Sequence, residues 1–392
     1  MNINPKLGYY TCNGQTFDSK IQAYLYGAQV KQKVEWNFNN DLFNKHDWTI
    51  EPEETLDQLY NARARQLREQ YDYIILSYSG GADSHNILMS FIRQGLHIDE
   101  IVVNTMEKAN SKFTVVNPTI LNPEHAAAEH RLNTVPRLKE VEHLIPRTKI
   151  NILDLSDNLF QSLEVAGNAS WVLDKREGLN PLGATRFNYI HFSEVRKRFD
   201  REKTIALILG IEKPRTMIIG NKFYTRFSDR SANIVTVAEH IKEYDNSTVE
   251  FFYWSPECLP LLTKQAHVIK RWLEADPAKQ KLWTLDSVNR LYRTVHERIL
   301  RSLLYTTWDN NYWQADKATK DWYSEFDTWF IEGYKGTKAN DIWWEGINYV
   351  KNNLPTFMLN YNKDRQADGL LILGHSYYIG DMKSQEIITS SN

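Results

Sequence analysis

Short apolar segments alternate with longer helical patterns through the middle of this chain, and this alternation constrains the fold more than any other feature. The apolar segments are Tyr73–Tyr78, Ile101–Thr105, Lys149–Leu153 and Ile205–Leu209. Segments with helical periodicity lie between them, at 84–95, 124–144 and 188–201. Apolar strands separated by helices are typical of a parallel sheet that is covered on both faces. The chain is therefore predicted to be α/β, with a doubly wound parallel sheet at its centre.

Two further regions flank the predicted sheet. Asn13–Gly14 between two β-prone runs indicates a hairpin, and a helix capped by Asp18 or Ser19 follows it. Another helix is predicted at about 54–70, and beyond about 255 the chain becomes helical and rich in tryptophan. We divide the chain into an N-terminal hairpin with helices (1–70), an α/β domain (71–255) and a helical C-terminal region (256–392).

Two local patterns predict elements outside the sheet. A second hairpin is predicted where Gly220–Asn221 separates two β-prone runs. In the C-terminal region, Trp322, Phe326, Trp329 and Phe330 fall on one helical face. Packing in the protein core is favoured for this face over a base-stacking surface, because acidic residues rather than basic ones lie between the aromatic residues.

Composition excludes several classes of protein. The 392 residues carry 47 Lys and Arg against 49 Asp and Glu, so the chain is not a polycationic nucleic-acid coat. Cys12 and Cys258 are the only cysteines, which excludes a disulfide framework and a four-cysteine zinc site. No apolar run is long enough to cross a bilayer, and the N terminus lacks the layout of a signal peptide. The expected location is the cytoplasm, with no membrane contact.

The segment Ser79-Gly80-Gly81-Ala82-Asp83-Ser84 joins the first predicted strand to the following helix. A glycine turn at this position directs backbone N–H groups and the positive end of the helix dipole at one point, which makes an anion site. Gly80 and Gly81 allow a phosphate to come close, and the hydroxyls of Ser79 and Ser84 add hydrogen-bond donors. Asp83 suits such a turn either as a residue that places Mg²⁺ or as a helix cap. The spacing is neither that of a Walker A loop nor that of a dinucleotide fingerprint.

This loop resembles the S-G-G-x-D-S loop of the PP-loop ATP pyrophosphatase superfamily, which includes asparagine, GMP and NAD synthetases. All five fixed positions match, and the loop lies between a predicted strand and a predicted helix, as the family requires. Over its whole length the chain also resembles uncharacterised PP-loop proteins of tailed bacteriophages, often described as phosphoadenosine phosphosulfate reductase-like. The motif covers only about 75–90, and the alternating pattern extends the resemblance weakly to about 230.

The resemblance implies a sheet of the HUP type, with ATP across the carboxyl ends of its strands and Mg²⁺ beside the phosphates. It implies that the loop holds the phosphates and that the end of the second strand, here Asn104, Thr105 and Met106, lies along the adenine and ribose. A buried strand with its exit turn is an equally good interpretation of those three residues. The implied reaction is attack of a substrate oxygen on the α-phosphate, release of pyrophosphate, and displacement of AMP by a nitrogen nucleophile.

Cationic residues follow the fourth predicted strand. Lys213 and Arg215 are expected at the sheet edge where α/β proteins bind ligands, and Pro214 stiffens the backbone between them. With Asp83, they are predicted to act in catalysis by stabilising the leaving pyrophosphate. The surrounding segment 186–230 has a clear excess of Lys and Arg over Asp and Glu. A surface for the phosphates of ATP or a nucleic acid and a solvated helix flank are equally good interpretations of that excess.

Three functions are consistent with these features. The first is an ATP-dependent enzyme that adenylates a substrate oxygen, as a ligase, an amidating enzyme or a nucleobase-modifying enzyme. The second is a reductase or sulfur-handling enzyme, which requires an exposed and activated Cys258. Burial of this cysteine is predicted instead, because Leu-Pro-Leu-Leu follows it. The third is a non-catalytic nucleotide-binding protein whose Trp-rich region binds a partner. The sequence specifies neither the substrate nor the oligomeric state.

Overall fold

The computed structural model describes most of the chain in several ranges. They are 5–105, 130–154, 167–168, 172–173, 195–200, 202–229, 246–285, 287, 295–312, 335–355 and 372–383. Three predictions fall wholly or largely outside these ranges. They concern Met106, the helix at 188–201, and the aromatic face formed by Trp322, Phe326, Trp329 and Phe330.

The N-terminal region is a three-stranded antiparallel sheet with helices beside it. Its elements are β1 (Tyr9–Cys12), β2 (Gln15–Phe17), α1 (Lys20–Val30), β3 (Glu35–Asn37), α2 (Asn40–Phe43) and α3 (Leu56–Gln70). β1 pairs with both β2 and β3. The predicted first hairpin is confirmed, because Asn13 and Gly14 adopt φ values of 47° and 75°, which a two-residue hairpin turn requires. Ser19 caps α1, and Thr55 forms a capping box with Gln58 at the start of α3.

A five-stranded parallel sheet forms the centre of the protein. The elements of this region are β4 (Tyr73–Ser77), α4 (Ala82–Arg93), β5 (Glu100–Thr105), α5 (Val135–Val141), β6 (Lys149–Asp154), β7 (Ile205–Leu209), β8 (Arg215–Ile219), β9 (Lys222–Ser228) and β10 (Ser247–Phe251). The strand order of the sheet is β10-β7-β4-β5-β6, and every neighbouring pair is parallel. Helices flank the sheet, so the protein has the predicted α/β class and the arrangement of a doubly wound fold.

The four predicted strands are present, each within one residue of its predicted bounds, but the edge strand β10 was not predicted. Glu250 interrupts the apolar pattern of β10, although its side chain is buried. Arg63 of α3 donates to one carboxylate oxygen of Glu250 at 2.9 Å, and the Tyr71 hydroxyl donates to the other at 2.5 Å. These partners compensate the buried charge, so a strand that looks polar in the sequence packs against the core.

The C-terminal part of the chain packs around this centre. Its helices are α6 (Leu259–Glu274), α7 (Pro277–Gln280), α8 (Glu297–Leu304) and α9 (Lys338–Asn353), and β11 (Leu373–Asp381) is its one described strand. α6 packs against both α3 and α8. Within the described ranges, no helix combines the length and the apolar character needed to cross a membrane.

β8, β9 and β11 form a second antiparallel sheet. The predicted second hairpin is confirmed, with Gly220 at a φ of 63° in its turn. β11 extends this hairpin by pairing with β9. The prediction of a helical C-terminal region is therefore wrong for this segment. Tyr377 and Ile379 are buried and Tyr378 is more exposed, so β11 follows the alternation of a strand with one face on the core.

Candidate functional site

The Ser79–Ser84 loop lies at the carboxyl edge of the parallel sheet, directly after the central strand β4. Gly80 has a φ of 72°, in the left-handed region that favours glycine. Gly81 is the N-cap of α4, and no side chain caps this helix. The first N–H groups of a helix have no partner within the helix, so the start of α4 has donors that suit an anion. The loop therefore has the geometry that its sequence predicts.

The two serine hydroxyls of the loop bind its own backbone. Ser84 Oγ donates to Gly81 O at 3.2 Å and accepts from Ser79 N at 3.2 Å. Ser79 Oγ accepts from Gly81 N, also at 3.2 Å. In this structure both hydroxyls hold the shape of the loop, which leaves the start of α4 as the principal donor group for a ligand.

The segment from the π-helical turn His130–Thr134 into α5 covers one side of the loop. Thr134 Oγ1 donates to Ser79 O at 2.6 Å, and Arg137 Nη1 donates to Gly80 O at 2.6 Å. A Cβ atom on Gly80 would lie only 2.5 Å from Thr134 Cα, so glycine is required here by contact as well as by φ. The sequence predicts a helix in this segment, but nothing in its pattern indicates that two of its side chains bind the loop.

Lys213 lies against the other end of the loop. Its Nζ contacts Asp83 Oδ1 at 2.7 Å and Asp83 Oδ2 at 2.6 Å. The Tyr305 hydroxyl also donates to Asp83 Oδ1, and the Tyr253 hydroxyl donates to Asp83 O at 2.8 Å. Glu297 of α8 is 3.9 Å from Lys213 Nζ. The exit of β7 therefore brings Lys213 to the same sheet edge as the loop, as the parallel strand directions predict.

Arg215 has different surroundings. It begins β8, its Nη2 lies 3.7 Å from Glu212 Oε1, and it is in register with Arg226 of β9. Burial and the nearby Arg215 lower the pKa of Arg226 to about 10. Of the two predicted catalytic cations, Lys213 is the one that the described contacts place on Asp83.

The excess of Lys and Arg in segment 186–230 does not form one uniform surface. Arg196 is buried, and its guanidinium donates to Asp200 O at 2.9 Å, so this arginine stabilises a local turn. Lys213 and Arg215 are buried as well, whereas Lys222 is exposed. Several members of the segment are therefore buried cations rather than part of a solvated flank.

Asn104 and Thr105 end β5, the neighbour of β4, and lie opposite Leu153 and Asp154 of β6. Thr105 is buried and Asn104 is half-buried. Because β4 and β5 are parallel neighbours, the end of β5 lies at the same sheet edge as the Ser79–Ser84 loop. This is the relative placement that the predicted adenine and ribose contacts require.

Asp83 does not have the surroundings of a resident metal ligand. Both of its carboxylate oxygens contact the ammonium group of Lys213, and one also accepts from Tyr305. In the described ranges, no group of three or more His, Cys, Asp and Glu side chains is arranged to hold a metal ion. The carboxylate as it stands holds Lys213 in place, which differs from both sequence-based interpretations of Asp83.

Two other groups near the site are neutral at physiological pH. Burial lowers the pKa of His85 to about 4, and its Nδ1 lies 3.0 Å from the Tyr78 hydroxyl. The predicted burial of Cys258 is confirmed, with Sγ 3.0 Å from Tyr253 O. Burial raises the pKa of this thiol. The exposed, activated thiolate that a reductase needs is therefore not present at Cys258.

Sequence comparisons do not assign the chain to a group of known proteins. No protein-family model matches it, and no curated protein is significantly similar to it. The function therefore has to be inferred from the geometry of the loop and its neighbours.

Proposed function

We propose that this protein is a PP-loop ATP pyrophosphatase, an enzyme that adenylates a substrate oxygen and releases pyrophosphate. The observation that carries this proposal is the position of the S-G-G-x-D-S loop. It lies between the central parallel strand and an uncapped helix, with Gly80 at positive φ and Lys213 on Asp83. A sheet of the HUP type would place ATP across these strand ends, with its phosphates on the loop and its adenosine toward Asn104 and Thr105.

The start of α4 and the loop N–H groups would hold the phosphates, which suits the partial positive charge of this helix end. The substrate oxygen forms a bond to the α-phosphorus while the bond from that phosphorus to the pyrophosphate oxygen breaks, and pyrophosphate leaves with the electron pair. A nitrogen nucleophile then displaces AMP from the adenylated substrate. Mg²⁺ would arrive on the phosphates of ATP, where it offsets their negative charge.

Lys213 has the clearest role in this proposal. Its ammonium group is buried and fixed by Asp83, so it need not reorganise as negative charge grows on the pyrophosphate. Asp83 is a positioning residue for Lys213 in this arrangement. Tyr305 and Tyr253 hold Asp83 from the side of the C-terminal region, which links that region to the site.

The products formed from ATP test the proposal. Purified protein is incubated with Mg²⁺, ATP labelled in the α-phosphate, ammonia as the nitrogen nucleophile, and pools of carboxylic acids, nucleosides and RNA. Formation of AMP and pyrophosphate in equal amounts supports the proposal, and Ser84→Ala should slow it because this hydroxyl fixes the loop. Formation of ADP and phosphate would contradict it. Recovery of intact bound ATP under all conditions would favour a non-catalytic nucleotide-binding protein.

A further inference from the structure

Arg137 is a buried arginine whose neighbours are mostly aromatic. The residue is 0% exposed, and its guanidinium carbon lies 4.0 Å from the ring centres of both Trp308 and Tyr312. Its Nη1 donates to Gly80 O. Its Nε and Nη2 are also buried, and neither has a hydrogen-bond partner in the part of the chain that the structure describes. The guanidinium therefore has unused donors beside the phosphate loop.

The positive charge of Arg137 is incompletely compensated. In the described ranges no carboxylate forms an ion pair with it. Glu140 attracts its charge from the same helix, and Tyr78 and Tyr312 lie nearby. Arg301 of α8 repels its charge. The Glu140 carboxylate accepts a hydrogen bond from the Tyr312 hydroxyl rather than from Arg137. Aromatic faces stabilise a desolvated cation by less than its desolvation costs. An anion at the adjacent loop would supply the missing compensation.

Arg137 and Thr134 also set the direction of the loop peptides. They bind the carbonyl oxygens of Gly80 and Ser79, in that order. In a trans peptide the N–H group points away from the carbonyl group. The N–H groups of Gly80 and Gly81 therefore point away from Thr134 and Arg137, toward the interior of the loop, where Gly81 N donates to Ser79 Oγ. One segment thus fixes the donor direction of two successive peptides.

We propose that Arg137 is a positioning residue of the phosphate loop and the fixed charge that makes the loop select a polyphosphate over a monophosphate. This inference rests on the proposed function, and it names a determinant of ligand class that the loop motif does not contain. The polyphosphate supplies the negative charge that Arg137 lacks. Arg137 in turn holds Gly80 O, which fixes the loop peptide that leads into α4.

Calorimetric titration of the full chain with inorganic pyrophosphate, ATP and AMP tests this assignment. We expect R137Q to bind pyrophosphate and ATP roughly tenfold or more weakly, because it removes a charge-assisted hydrogen bond that holds the loop. Affinity for AMP should change less than twofold. R137K should show a smaller loss for the same two ligands, because lysine keeps the charge but not the planar fork. Lys139→Gln, an exposed change on the same helix, should bind all three ligands like the wild type.

The outcomes separate this inference from the proposed function. An equal loss of affinity for AMP and for pyrophosphate would indicate that the arginine is merely structural. Unchanged pyrophosphate affinity in R137Q would also overturn the inference, as would a wild-type protein that does not bind pyrophosphate. If R137Q does not fold, the selective loss expected for R137K decides the question in the same way. Selective loss without AMP formation by the wild type would support the inference and defeat the proposed function. AMP formation by the wild type, together with unchanged affinities in R137Q, would support the proposed function and defeat the inference.

Discussion

The Lys20–Asp229 and Lys213–Asp83 pairs have nearly the same geometry and different surroundings. The first pair is 2.7 Å long, with side chains 1% and 0% exposed, and the second is 2.6 Å long, with side chains 2% and 25% exposed. Both lysines are therefore buried, but only the second aspartate has an open side. The comparison shows that residue types and distance alone do not separate a structural ion pair from one that a ligand can reach.

The remaining partners of each aspartate explain the difference. Asp229 accepts from the Tyr10 hydroxyl at one oxygen and from Ile372 N at the other, both at 3.0 Å. The protein thus supplies every partner of that carboxylate, and the pair joins α1, β9 and the start of β11. Asp83 belongs to the Ser79–Ser84 loop, and its lysine also faces Glu297. A closed pair of this kind fixes the fold, whereas an open pair next to a loop can respond to a ligand.

Lys20→Met should have the largest effect and should act on stability alone. The change leaves the buried Asp229 without its cation, which costs about 3 to 5 kcal/mol of unfolding free energy. Denaturant unfolding measures this loss, and the affinity of the folded fraction for ATP should stay unchanged. A loss below about 1 kcal/mol would mean that the closed pair is no more important than a surface ion pair.

Lys213→Gln should have the next largest effect and should act on turnover. Loss of one preorganised charge near the proposed leaving group is expected to lower the rate of AMP formation by roughly tenfold to a thousandfold. ATP affinity should fall much less, because the loop N–H groups remain. Lys222→Gln, at an exposed position of the β8–β9 hairpin that follows Lys213 in the chain, is the matched control. Equal rates of AMP formation in the two variants would mean that the Lys213–Asp83 pair has no part in turnover.

Gly80→Ala and Gly220→Ala extend the comparison from ion pairs to turns. The two glycines have φ values of 72° and 63°, so both substitutions introduce similar backbone strain. Only at Gly80 does a new Cβ meet a neighbour, Thr134 Cα at 2.5 Å, whereas Gly220 has nothing within 4 Å. Gly80→Ala should therefore destabilise the protein by about 1 to 3 kcal/mol more than Gly220→Ala, as overpacking does. Thermal or denaturant unfolding of both variants measures this difference, and equal losses would contradict the tight contact.

Cys258→Ser should have the smallest effect on the reaction. The thiol is buried among carbonyl oxygens with its pKa raised by burial, so it belongs with the closed structural sites. Turnover per folded molecule is expected to stay within about twofold of the wild type. Loss of all turnover in a folded variant would instead give this cysteine a part in the chemistry.

The parts of the fold that depend on local pattern could be predicted from the sequence. Apolar runs located four strands of the central sheet, and turn residues located both hairpins. The position of Lys213 on the loop could also be predicted, because parallel strands end at one edge. β10 was missed because Glu250 is compensated by Arg63, a residue far away in the chain. Buried pairs of this kind have no local signature.

The contacts of Thr134 and Arg137 could not be predicted for a related reason. Their sequence separations from the loop carbonyls are 55 and 57 residues, and the aromatic rings around Arg137 come from beyond α8. The motif predicts where phosphates bind, but it does not predict which distant groups orient the motif. Those groups are specified only by packing between regions.

The Asp229 site has a consequence for the order in which the chain folds. Its carboxylate accepts from Tyr10, 219 residues earlier, and from Ile372, 143 residues later. During synthesis the N-terminal sheet emerges first, yet its buried ion pair cannot gain its last donor until β11 follows. Contacts between residues that are far apart in the sequence slow folding, because much chain entropy is lost before these contacts form. The buried ion pair of the N-terminal region therefore lacks one of its hydrogen-bond donors until the chain has been synthesised as far as β11.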